Sequence, residues 1–100
     1  MMELALNPEL KNYLKATHSR HGGIQFVFMF PNNYGASVVS HDYSYGGGEG
    51  LWEIAVLDEN ESLCYSTEVT DDVIGYLEED EVLDVLYHIF RLEKKRTRLK

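Results

Sequence analysis

Residues 24–65 read IQFVFMFPNNYGASVVSHDYSYGGGEGLWEIAVLDENESLCY, and how this stretch pairs decides the fold. Ile24, Phe26, Phe28 and Phe30 fall on one side of an extended chain, Val27 and Met29 on the other. Apolar residues on both sides predict a strand inside a sheet and covered twice. The second cover is expected from the N-terminal helix or from a partner subunit. Pro31 removes a ladder donor and Asn32-Asn33-Tyr34-Gly35 has turn chemistry, so the strand stops there. Ala36–His41 is the next strand, antiparallel to the first because the connection is short. Leu51–Leu57 is the third, with Trp52, Ile54 and Val56 sharing a face. Asp58-Glu59-Asn60-Glu61 is a charged turn, and Ser62–Ser66 is read as a fourth strand.

Outward from this stretch the pattern changes. Asn7-Pro8-Glu9 is a helix start, with a cap, a proline suited to the first turn and an acid at the positive end of the dipole. Leu10, Tyr13 and Leu14 then predict a short helix over about 8–16, and 17–23 is read as a connector. Thr70-Asp71-Asp72 resembles another helix start, with Gly75 limiting that helix to 71–77. Glu78-Glu79-Asp80-Glu81 opens a longer helix over about 79–95, whose Val82, Val85, Leu86, Ile89 and Phe90, with Leu83 beside them, follow the helical period. The expectation is a single α+β domain over 1–100. An N-terminal helix and connector occupy 1–23, a β-meander 24–66, and a C-terminal helical region 70–96. The sheet has three or four antiparallel strands, with the amphipathic helix packed on one face.

Composition narrows the functional classes. The chain is 44% hydrophobic and 26% charged, ordinary for a globular domain. A single cysteine, Cys64, excludes an internal disulfide, and the N-terminus has no secretory pattern, so the expected compartment is the cytoplasm. The formal net charge is −8. It divides into +5 over the tail 91–100 (RLEKKRTRLK) and −13 over residues 1–90. An acidic body repels phosphate backbones, so nucleic acid is not its expected partner. The basic tail is the one segment suited to nucleic acid. No membrane partner is expected.

Residues 46–50, GGGEG, lie between two strands, contain Glu49 and lack a lysine. A phosphate loop needs a following helix and Gly-Lys-Ser/Thr. Flanking tyrosines instead make this a flexible candidate interaction loop, comprising Tyr34, Tyr43, Tyr45, Gly46, Gly47, Gly48 and Glu49. His18 and His21 are three apart without a Cys or acid to complete a zinc set. The acids at 58–61 do not match a calcium loop. Cys64 in a short apolar strand reads as a small hydrophobe, not a nucleophile. No catalytic, cofactor-binding or metal residue is assigned, and no enzyme activity or cofactor is expected. The expected function is protein–protein interaction. One alternative is a small-ligand or nucleotide module closed by 43–50. Another is a self-associating structural component, suggested by the doubly apolar strand 24–30.

Several short runs carry a resemblance: Pro31–Val39 (PNNYGASVV), Gly50–Glu53 (GLWE), Leu63–Tyr65 (LCY) and Thr70–Gly75 (TDDVIG). Over about residues 28–82 the chain resembles a group of small proteins encoded by tailed bacteriophages and prophages. No activity or catalytic residue comes with the resemblance, so no site is carried over. It implies a setting: a phage accessory protein acting inside a bacterium. Joined to the interaction reading above, the expected partner is a host or phage protein, and inhibition of a host protein is one expected mode.

Overall fold

The computed structural model describes residues 8–64 and 73–93. A single turn of helix, α1 (Pro8–Lys11), leads into β1 (Leu14–Arg20), β2 (Gly23–Met29), β3 (Gly35–Ser40), β4 (Trp52–Leu57), β5 (Ile74–Leu77) and α2 (Glu79–Phe90). The five strands form one antiparallel sheet in chain order, β1-β2-β3-β4-β5. The α+β class and the antiparallel sheet are as the sequence predicts. The strand count is five, not three or four.

The extra strand at the front replaces the predicted helix and connector. α1 stops at Lys11, and residues 14–20 pair with β2. A bulge between Leu14 and Ala16 breaks the alternation that would have marked a strand. Leu14 lies opposite Phe28 and Thr17 opposite Phe26, while Ala16 and His18 turn to the other side. His21 (φ 45°) and Gly22 (φ 81°) are both left-handed, the geometry that two-residue hairpins use to match strand twist. Leu10 is fully buried and Tyr13 packs edge-on against Phe30, 5.7 Å between centroids. The predicted apolar contacts therefore exist, made by a turn and a strand in place of a helix.

At the other edge, the predicted helix 71–77 is corrected to β5 over Ile74–Leu77, and Thr70, Asp71 and Asp72 lie outside the described residues. Strand pairing against β4, with Trp52 opposite Leu77 and Ile54 opposite Ile74, outweighs the local helix signal. The predicted strand 62–66 shrinks to one bridge, Leu63 to Leu57, with Cys64 N–H donating to Val56 O at 2.8 Å; Tyr65 and Ser66 lie outside the described residues. The outer edge of β4 is thus shared by two separate pieces of chain. Between β4 and the Leu63 bridge, the 58–61 turn forms as predicted: Asp58 Oδ1 accepts the N–H groups of Asn60 and Ser62.

α2 lies over β3 and β4. Val82, Leu86 and Ile89 are fully buried against Phe26, Phe28, Phe30, Ala36, Val38, Trp52, Ile54 and Val56. Cys64 is buried in the same core. The N-terminus of α2 is closed by the Glu81 carboxylate, which accepts the Glu78 N–H at 2.9 Å. The helix ends at Phe90, earlier than the predicted 95, and residues 94–100 lie outside the described residues. Its last carbonyls are met by Asn32, from the β2–β3 turn. Asn32 is buried, and its amide hydrogens are shared among Ile89 O (2.8 Å), Leu92 O (3.1 Å) and Phe90 O (3.2 Å). Its Oδ1 accepts the Tyr34 N–H at 3.1 Å.

β2 is an interior strand, as its two apolar faces predict. α1 does not supply the second cover, because Leu10 joins the core on the α2 side. Across the sheet, Val27, Val39, Ala55 and Leu57 are also buried. Val27 needs no second subunit for that burial. Among the described residues, no helix is long and apolar enough to cross a membrane.

Candidate functional site

The registers place the turns at two ends of the sheet. Met29 opposite Gly35 and Gly35 opposite Leu57 put the β2–β3 and 58–61 turns at one end. Arg20 opposite Gly23, Ile24 opposite Ser40 and Trp52 opposite Leu77 put the β1–β2 turn, the 41–51 loop and the start of α2 at the other. Tyr43, Tyr45, Gly46, Gly47, Gly48 and Glu49 are therefore together. Tyr34 is not with them: it sits at the far end, half-buried against the core. The grouping read from sequence loses Tyr34 for this reason.

The glycine loop is folded. Ser44 Oγ accepts the His41 N–H and donates to the His41 carbonyl, both at 3.0 Å. Gly47–Glu49 is a 3-10 turn, and Leu51 N–H returns to Gly46 O at 2.9 Å. Tyr45 is held from both sides. Its N–H donates to Glu53 Oε1 at 2.8 Å, and its carbonyl accepts the Tyr76 N–H at 3.2 Å. The loop thus leans on β5, so closely that a Cβ on Gly75 would stand 2.4 Å from Tyr45 Cβ. On the other flank, Asp42 N–H donates to His21 O at 3.0 Å. The Tyr43 ring lies 5.0 Å from that of His21, which lies 5.2 Å from that of His41.

Although the backbone is tied down, three rings stand in solvent: Tyr43 is 79% exposed, Tyr76 60% and Tyr45 59%. Tyr76 holds a left-handed backbone, φ 57°, a conformation that disfavours bulky side chains. Sequence reasoning missed Tyr76, having placed it in a helix. No period marks this strand: Ile74 and Leu77 both pack on the core side although three apart, because the pairing with β4 is irregular between Trp52 and Ile54. Sequence reasoning also missed Glu53, whose carboxylate fastens the loop.

One pair of variants tests the loop geometry. A Cβ on Gly47 would come within 1.8 Å of the His41 carbonyl, whereas one on Gly48 would meet nothing within 4 Å. Gly47→Ala is expected to cost about 1–3 kcal/mol, as overpacking against backbone does, and Gly48→Ala to change stability little. Urea unfolding of both variants decides; equal effects would refute this packing.

The remaining candidates are scattered. His18 is exposed on β1 and His88 on α2, apart from His21 and His41. Among the described residues, no group of three His, Cys, Asp or Glu side chains gathers as a metal site. A concavity of about 300 Å³ opens on the sheet face away from α2, with His18, Gln25, Ser37, Glu61 and Leu63 in its walls. Gln25 Nε2 donates to Ser37 Oγ there at 2.7 Å, and Lys15 pairs with Glu61. None of its walls comes from residues 43–50. No protein-family model, curated protein or solved structure matches this chain.

Proposed function

We propose that the chain is a small acidic accessory protein of phage type that acts by binding another protein, of host or phage, without catalysis. Inhibition of a host protein is the outcome we assign to that binding. The observation that supports this most is the set of three exposed tyrosines at one end of the sheet, Tyr43 and Tyr45 on a hydrogen-bonded loop and Tyr76 on the β5 strand that the loop leans on. Tyrosine is enriched at protein interfaces, and a ring on a fixed backbone adds contact area with little ordering cost. The acidic body adds long-range attraction for a basic partner.

Pull-down from bacterial lysate with the tagged full chain is expected to recover a specific partner. Recovery should fall as salt is raised from about 0.05 M to about 0.5 M, where screening becomes short-ranged. It should fall at low salt too when Glu49, Glu59 and Asp84, all exposed, are changed to their amides. No specific partner, or recovery indifferent to salt and to these charges, would overturn the proposal.

A further inference from the structure

We infer that the tyrosine-bearing end takes an arginine-rich segment of its partner; this rests on the binding function proposed above and names the chemistry of the bound surface. Three large rings stand in solvent at one end of the sheet, and tyrosine is a residue type enriched where a surface meets a partner. What can cover them is set by charge. From His41 to Phe90 the sequence has fourteen acidic residues and no lysine or arginine.

Acids flank the tyrosines along the chain. Asp42 precedes Tyr43, Glu49 lies in the 3-10 turn, Glu53 holds the Tyr45 N–H, and Glu78 follows β5 two residues after Tyr76. Of the described lysines and arginines, only Arg20 belongs to this end, at the last position of β1. Lys11, Lys15 and Arg91 are at the other end. A ring edged by carboxylates and short of cations suits a cation that also stacks. Arginine does both: its planar guanidinium lies on a tyrosine face while its N–H fork binds carboxylate oxygens. Lysine, a hydrated point charge, satisfies the acids but gains less from the rings. The chain already makes one such contact, with Arg91 Cζ 5.2 Å from the Tyr87 ring centroid.

The test uses the full chain and three peptides of equal length: an arginine–glycine repeat, the same repeat with lysine, and a neutral serine–glycine repeat. Binding is followed by fluorescence anisotropy at about 0.15 M salt, where distant charges are screened. The arginine peptide is expected to bind at least about five-fold tighter than the lysine peptide, and the neutral one not to bind. Changing Tyr43, Tyr45 and Tyr76 together to alanine should abolish the arginine preference and leave weak, equal binding. The Tyr43→Ser variant alone should lower the preference without touching the β5 contact. Asp42→Asn with Glu49→Gln should weaken both charged peptides while keeping their ratio. Equal affinities of the arginine and lysine peptides for the unaltered chain, binding of neither, or a preference that survives the triple variant would each overturn the inference. A lysate partner still recovered by the triple variant would overturn it while leaving the general binding function in place. Failure to recover any partner strikes that function instead.

Discussion

Trp52→Ala is expected to remove about 3–5 kcal/mol of folding stability, the range for truncating a large buried aromatic. Trp52 opens β4 on the face beneath α2 and is only 8% exposed. Its ring lies 5.9 Å from that of Phe26, and across the ladder it faces Leu77, the last residue of β5. Loss of the indole would open a void reached by three strands, lined by groups that neighbouring backbone hydrogen bonds hold in place. Domains of this size are stable by about 5–15 kcal/mol, so one substitution consumes a large share. Guanidinium unfolding, with the slope compared between the two proteins, measures it. A loss below about 1 kcal/mol would show that Trp52 is not a core residue.

Asn32→Asp is the second large effect, and it is informative because the shape hardly changes. The asparagine amide donates to three carbonyls at the end of α2. An aspartate oxygen in that place would face the same carbonyls with charge instead of hydrogen, at the negative end of a helix and away from water. The expected cost is about 3–5 kcal/mol, as for other uncompensated buried charges. Asn32→Ala merely leaves acceptors short of donors and should cost about 1–3 kcal/mol. The ordering is the test: in equilibrium unfolding aspartate must be worse than alanine. An aspartate variant as stable as the original would mean that Asn32 does not close the helix.

The core was legible because its periods are plain. Phe26 and Phe28 share a face, Trp52, Ile54 and Val56 share another stretch of it, and Val82, Leu86 and Ile89 repeat at helical spacing. Strand β1 was hidden because its bulge shifts Leu14 and Thr17 into a spacing that looks helical beside Leu10. Strand β5 was hidden because four residues are too few to show a period, and Gly75 reads equally as a helix breaker. Its pairing with β4 is a long-range fact that no local window contains. The candidate loop was legible in composition but not in order: its glycines suggest freedom, whereas Gly47 is there because the His41 carbonyl passes close by, as Gly75 of β5 is there because Tyr45 does. Asn32 was read only as a turn residue. Its role depends on a helix whose carbonyls arrive 57 to 60 positions later.

Strand order identical to chain order has a consequence for how the molecule is made. On a ribosome, each hairpin from β1 to β4 can zip as soon as its second arm emerges, since its partner is always the strand just synthesised. The lid comes last, and until α2 is translated the aromatic face of that growing sheet has nothing over it. Incomplete chains are therefore the form most exposed to aggregation, and the distant clasp at Asn32 marks the moment that exposure ends.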